Sequence, residues 1–563
     1  MARELLPSPR EDTRLERATI VAQVLISVVL CAPFLMHLRV ALPGQPGLAD
    51  LPGTVNYHWL IERFGLFDAT ESRMLMFPSQ VNRLVIDGFP LDALITAPLS
   101  KVLGWPAGFS VAVWLSFLCL GLAHAWLGKV WWGSERAALV GGVLAQLSPY
   151  LVREVVDGRP TQLFGAIFLP LAIGLCLRAV HSRPARLGLL SGGMVGLSAL
   201  SYWYYGVFCA LSLAVVLLMA QGSGLRVGRT VLWVGAGAAA VAGLPVLYTL
   251  QSVGDMPGIR TAWSDPVLHG SEWVALVQIL EFRDLGASVV EDRVLAAQAL
   301  VAAGLVACLR LESIRHTIAP LFMGLTALLL AAGPTISMFG ILDVPGPFHI
   351  FRMSDALSRL WWPDRALVML VPAVSLLGAG GFCALLGRYA PPGRQRVALL
   401  GLTLALVLEA FLVIPGLPIP VAWGGETAVS RALAAGEGPV LILPIGHGES
   451  EPDMQMLIDQ VHHGRPLVNG PMVPGSSAAP QAFRDFAESA PIEAMLACEA
   501  GRVLPVQPSE WARLRDAGII EIVLDPARAR ALPGDGARYE SCIQALLGPP
   551  AAADPTLQHY AIP

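Results

Sequence analysis

Charge is scarce in this chain. Of its 563 residues only 14% are Asp, Glu, Lys or Arg, whereas 55% are hydrophobic, and mean hydropathy is +0.60. A soluble globular protein needs more polar surface than this, so the composition excludes that class. Basic residues are not in excess either: 38 Lys and Arg face 42 Asp and Glu, for a net charge of −4. No basic cluster is dense enough for nucleic acid. Cysteine is sparse, at eight residues. Cys31, Cys119, Cys176, Cys209, Cys308 and Cys383 lie in or beside apolar stretches, where thiols pack as small hydrophobes. Cys498 and Cys542 fall in a polar region; they could form a disulfide in an oxidising compartment, or remain two buried thiols. Internal repeats are absent, and the only biased segments are Pro/Gly/Ala-rich joins at 389–394, 470–480 and 547–553. The first apolar stretch has no small-residue cleavage site after it, so it reads as a retained anchor.

What is present is a series of long apolar runs. About eleven predicted spans cover approximately 17–38, 106–127, 136–150, 161–179, 187–201, 203–220, 230–250, 294–309, 317–333, 366–387 and 397–415. Their connections are unequal in charge. With the N-terminus inside, the short cytoplasmic loops hold Lys129, Arg136, Arg178, Arg183, Arg186, Arg226, Arg229, Arg310, Arg315, Arg388, Arg394 and Arg396. Only Glu4, Glu11, Asp12, Glu16, Glu135 and Glu312 are acids on that side. An odd number of spans then places residues 416–563 outside. The predicted organisation is a multi-pass domain over 1–415 in the cell (inner) membrane, and an extracytoplasmic domain over 416–563. The fold class is thus an α-helical polytopic membrane protein with a small C-terminal α/β domain.

The outer loops are long, at 39–105 (loop one), 251–293 (loop four) and 334–365 (loop five), and long loops in compact proteins are usually functional. In loop one, YHWLIERFGLF (57–67) reads as a helix lying in the membrane interface. In the C-terminal region, 438–445 and 519–524 read as buried strands, and 454–463 and 509–518 as helices. The same outer face collects carboxylates where the helices emerge: Asp50, Asp87, Asp92, Glu154 and Asp157. Such groups gain little at a bilayer surface unless something polar binds there.

Three stretches carry a resemblance. Asp50 follows soon after the first span, loop two reads SPYLVREVVDGRPTQLFGAIFLPLAIGL from 148, and loop five ends in a basic run before an Ala/Gly-rich span. This layout resembles the GT-C superfamily of polytopic glycosyltransferases. LILPIG, HHGRPLVNGP and LRDAGIIEIVLD in turn resemble the soluble domain appended to many bacterial members. The resemblance implies a polyprenyl-phosphate sugar donor, membrane lipids as surroundings, and a lipid, glycan or protein acceptor in the cell envelope. One departure matters. Many members carry two loop-one acids as Asp-x-Asp or Glu-x-Asp, whereas Asp50 stands alone in GLADLPG. That leaves open both a divalent cation as cofactor and the identity of the base.

Glycosyl transfer needs a carboxylate to take the acceptor's proton. Asp50 can fold back over the bundle mouth and is the first candidate; Asp157 in loop two is the second. The competing reading makes Asp50 a turn residue beside Pro52-Gly53 and Glu154 and Asp157, with Arg153 and Arg159, a solvated loop. Asp87, Asp92 and Glu154 are candidates for substrate binding, although Asp92 could simply cap the helix beginning DALITAPL. Arg352, Arg359 and Arg365 are candidates for the donor phosphate, since arginine makes paired, charge-assisted bonds to phosphate oxygens. They could instead pair with Asp355 and Asp364 or meet anionic headgroups. His447, His462 and His463 lack a metal-ligand spacing. The alternatives to an enzyme are a transporter or flippase for a lipid-linked saccharide, and a non-catalytic assembly protein. Transporters place ionisable groups at the bilayer midplane, whereas these charges sit at the mouths.

Overall fold

The computed structural model describes residues 13–45, 50–66, 68, 71–79, 81–82, 91–219, 224–254, 314–331, 333, 335–338, 342–353, 360, 362–391, 394–414, 416–445, 455–469, 481–532, 536–553 and 556–563. Helix α1 (Thr13–Leu35) leads through strand β1 (Ala41–Pro43) into α2 (Asp50–Phe64) and α3 (Ala93–Leu103). A bundle follows: α4 (Ala107–Trp132), α5 (Glu135–Gln146), α6 (Pro149–Val156), α7 (Pro160–Ala166), α8 (Phe168–His181) and α9 (Pro184–Ser201). It continues with α10 (Trp203–Met219), α11 (Gly224–Gly254), α12 (Ile314–Ala331), a 3₁₀ turn at Pro363–Met369, α13 (Leu370–Tyr389) and α14 (Gln395–Val413).

Among the described residues, seven helical stretches are long and apolar enough to cross a membrane, with α5–α6, α7–α8 and the 3₁₀ turn with α13 each counted as one. Trp203–Met219 and Thr317–Ala331 are shorter apolar helices. Every expected span that falls among the described residues coincides with a helix; the one at 294–309 lies outside them, as does loop four beyond Gly254. Pro149 divides one span into α5 and α6, and Pro160 and Pro184 each open a helix, because proline in a first helical turn starts a new helix more readily than it extends one. Small residues let the pieces pack closely. A Cβ on Gly192 of α9 would meet the Val234 carbonyl of α11 at 1.9 Å, and one on Gly237 would meet the Leu189 carbonyl at 2.2 Å. In the bundle interior, the buried amide of Gln146 donates to the Gln23 and Phe117 carbonyls at 3.1 and 3.0 Å.

After α14 the chain forms β2 (Val421–Trp423), which pairs antiparallel with β1, and so brings the start of loop one and the start of the C-terminal region together. Beyond it a four-stranded sheet has the order β3 (Val440–Leu443), β4 (Glu521–Leu524), β6 (Gln558–Tyr560), β5 (Ala552–Ala553). β3 and β4 are parallel and the other pairs antiparallel. Both expected strands and both expected helices are present, the latter as α15 (Gln455–His463) and Pro508–Asp516. Helices pack on the sheet, and Cys498 and Cys542 are joined in a disulfide with Cα atoms 5.7 Å apart.

Helix α2 has surroundings the sequence did not announce. Tyr57, Trp59, Leu60 and Ile61 are buried against Leu433, Val440, Ile442, Met456 and Leu457 of the C-terminal region rather than lying free in an interface. Asn56, fully buried, donates to the Leu457 carbonyl at 3.1 Å and to Gln460 Oε1 at 2.8 Å. Gln460 passes the link on to the Met74 and Arg465 carbonyls at 2.7 and 2.9 Å. A buried amide pays its desolvation only when its partners are placed, so this set fixes the register between loop one and the C-terminal region.

Candidate active site at the end of the bundle

Loop one, loop two and the turn before α13 meet at one end of the bundle. Their meeting depends on Gly158, which turns the chain between α6 and α7 at φ +81°, where side chains are strained. A Cβ there would meet the Leu51 backbone nitrogen at 2.7 Å. Glycine therefore lets the first turn of α2 rest on the loop, which carries Asp50 to Arg159.

Arg159 is the hub. Its guanidinium donates to Asp50 Oδ2 at 2.9 Å, to Glu154 Oε2 at 2.6 Å and to Asp157 Oδ2 at 2.7 Å. Burial works against charge on Arg159, but the carboxylates of Glu154 and Asp50 more than offset it, so the guanidinium is held charged more firmly than a free one. The three acids differ in access. The Asp50 side chain is 53% exposed, Asp157 25% and Glu154 3%. Asp157 also faces Arg153 at 3.4 Å. The second acid that loop one lacks in sequence is thus supplied in space by loop two.

Glu154 is buried between two arginines, because its other oxygen accepts from Arg365. Arg365 is buried in the 3₁₀ turn, has Asp364 3.8 Å away, and lies over the Trp362 ring at 5.6 Å. Two atoms of this turn stay unsatisfied within the protein: Arg365 Nε and Asp364 Oδ1 are buried without a hydrogen-bond partner. Tyrosines line the neighbouring wall. Tyr150 Oη lies 2.9 Å from Tyr205 Oη, and Tyr205 donates to Gln162 Oε1 at 3.1 Å. Tyr202, at the break between α9 and α10, stacks on Tyr204 and is within electrostatic reach of Arg365, Glu154, Asp364 and Arg159.

Asp92 is placed differently. It caps α3 through the Ala93 N–H at 3.0 Å and pairs with buried His58 at 3.2 Å, and Thr161 of α7 bonds it as well. Burial opposes its ionisation, but the His58 charge and these hydrogen bonds hold its carboxyl below the usual range. Asp87 and Arg359 lie outside the described residues, and Arg352 is described only as part of the backbone turn Pro347–Met353. Among the described residues no three metal-ligating side chains come together; Asp50 and Asp157, which could hold a cation, each turn an oxygen to Arg159. Sequence reasoning missed Arg159 as the centre, Asp364 and the tyrosine wall. The adjacency of Asp364 to Arg365 and the SYWYYG run at 201–206 were the available signals.

No protein-family model matches the sequence, and no curated protein sequence matches it. Solved structures do match by fold. Arabinofuranosyltransferase AftD from Mycobacteria aligns over 99% of this chain at 15% identity with a TM-score of 0.58, and this chain spans 42% of AftD's length. ArnT from Cupriavidus metallidurans aligns over 95% of this chain and 98% of its own, at 14% identity and a TM-score of 0.54. The Archaeoglobus fulgidus oligosaccharyltransferase aligns over 93% of this chain and 72% of its own, at 13% identity and a TM-score of 0.53. The fold is therefore similar to that of these three solved transferases.

Proposed function

We propose that this protein moves a sugar from a polyprenyl-phosphate donor to a lipid, glycan or protein acceptor at the extracytoplasmic face of the inner membrane. The observation that carries the reading is the sharing of one guanidinium, Arg159, by Asp50 of loop one and Asp157 of loop two, beside buried Arg365. A half-exposed carboxylate anchored through one oxygen can take a proton with the other, and Asp50 is the more accessible of the pair. Arg365, with an Nε–H to spare, suits the phosphate that leaves. Glu154 keeps both arginines in place. Asp92, spent on His58, Ala93 and Thr161, acts as a positioning group.

Two further observations support donor and face. ArnT, with a TM-score of 0.52 to this chain, has been solved bound to undecaprenyl phosphate. The Cys498–Cys542 disulfide suits an oxidising compartment, and the short basic loops suit the cytoplasm. The test is to incubate the purified, vesicle-reconstituted protein with undecaprenyl-phosphate sugars and an envelope extract as acceptor source, then follow the lipid fraction by mass spectrometry. Release of undecaprenyl phosphate is expected. A sugar-lipid that binds and changes leaflet with its sugar intact would replace this reading with the flippase.

A further inference from the structure

Within the proposed active site, one turn has bonding capacity that the protein itself does not use. Asp364 Oδ1 is buried without a partner, as is Arg365 Nε, one residue on. A charged acceptor left unsatisfied costs more than a neutral one, so an orphan carboxylate oxygen is a place where a donor group binds. The indole of Trp362, two residues earlier in the chain, is 43% exposed and lies under the Arg365 guanidinium.

The tyrosine wall adds a direction. A phenol has one proton to give. Tyr205 spends its proton on Gln162 Oε1, so at the 2.9 Å contact Tyr150 must donate to Tyr205. Tyr150 Oη is then left with lone pairs only. Tyr150 is within electrostatic reach of Asp364, so two acceptors lie near this turn, whose Trp362 side chain is partly exposed. Several hydroxyl donors on a ring with an apolar C–H face match that set; a phosphate, which brings acceptors only, does not. We propose that the segment Trp362–Arg365 divides the donor between its residues: Asp364 accepts a hydroxyl of the transferred sugar, Trp362 packs on the ring's C–H face, and Arg365 Nε takes the phosphate. This makes Asp364 and Trp362 specificity-determining residues for the sugar. The inference rests on the glycosyltransferase reading above.

The experiment compares two lipids on the full-length protein in nanodiscs: undecaprenyl phosphate, and undecaprenyl phosphate carrying glucose, mannose or arabinose, using whichever of the three binds wild type best. Asp364→Asn keeps the size of the side chain but gives up the charge. It should weaken the sugar-bearing lipid by about 10- to 100-fold, as for a lost bond to a charged group. Binding of the sugarless lipid should hold or tighten, because a negative charge beside Arg365 has gone. Trp362→Leu should weaken only the sugar-bearing lipid, by roughly ten-fold. Equal weakening of both lipids in Asp364→Asn would make Asp364 a mere prop for Arg365, and no change in either variant would empty the subsite; both results overturn the proposal. Wild type binding the two lipids equally would also overturn it. Wild type binding neither would instead refute the donor assignment of the glycosyltransferase reading.

Discussion

Two arginine-centred clusters in this molecule look alike and differ in one respect. In the C-terminal region, Arg465 is buried and donates to the Gly438, Leu433 and Glu437 carbonyls at 2.9, 3.3 and 2.9 Å, and meets Glu521 at 2.6 Å. The other oxygen of Glu521 takes His559 at 2.5 Å. Burial alone would raise the Glu521 carboxyl, but the hydrogen bonds from His559 and Arg465 hold it below its ordinary range. Each nitrogen of this guanidinium is matched by protein. At the bundle end, by contrast, Arg365 and Asp364 keep a donor and an acceptor in reserve, and Asp50 stands half in solvent. A saturated cluster holds a fold together; an unsaturated one has been left open for something else. The contrast between the two, more than the presence of charge, is what supports the proposed function.

The sharpest way to break this contrast is at Asp50. Asp50→Asn should lower turnover by roughly the 10²–10⁴ of a lost general base while donor binding and thermal stability hold. Steady-state kinetics beside a melting curve checks both at once. Asp157→Asn is the comparison: full activity in Asp50→Asn with loss in Asp157→Asn would move the base to loop two, and full activity in both would remove the mechanism. Arg465→Met should do the reverse. It strands three carbonyls and leaves Glu521 with His559 alone, and breaking even a largely buried charge pair costs up to about 3–5 kcal/mol. Calorimetry should therefore show the C-terminal region melting early while the surviving folded fraction keeps its kcat. A fall in kcat without a fall in stability would erase the distinction between the clusters.

The smallest expected effect is a pH dependence at His463. Burial, then the nearby Arg465 and His462, push this imidazole down to about 3, and its Nδ1 accepts the Arg465 N–H at 3.1 Å. The group is neutral when folded and gains a proton when unfolded below about pH 6.5. The unfolded state then binds more protons, so stability is lost as pH falls from about 6.5 toward the folded value, by up to about 1.4 kcal/mol per unit. His463→Gln should flatten that slope in acid melts between pH 7 and 5. An unchanged slope would show that the proton goes elsewhere.

How much of this was legible beforehand follows the range of the interactions. The spans among the described residues and the C-terminal strands are readable because hydrophobic period is a local property, as is the cap at Asp92, written into DALITAPL. The gathering of Asp50, Asp157, Glu154 and Arg365 at one end was foreseen in outline, from their places at helix mouths. The centre was not. Arg159 meets an acid 109 positions away, and Glu154 an arginine 211 positions away, and nothing in either neighbourhood encodes such partners. His58 lies within the apolar stretch 57–67 that reads as interfacial, and only the fold puts Asp92 beside it.

The amide bond from Asn56 to Gln460 spans 404 positions. A ribosome adding about 5–20 residues per second needs roughly 20–80 s to cover that distance. Helix α2, and with it Asp50, is therefore made early and then waits, without its partner, until the chain has been synthesised past Gln460. Through that interval the helices before residue 414 are complete while loop one still lacks the bond that sets its register. The order of synthesis thus leaves the Asp50 loop to be seated after the helices it rests on.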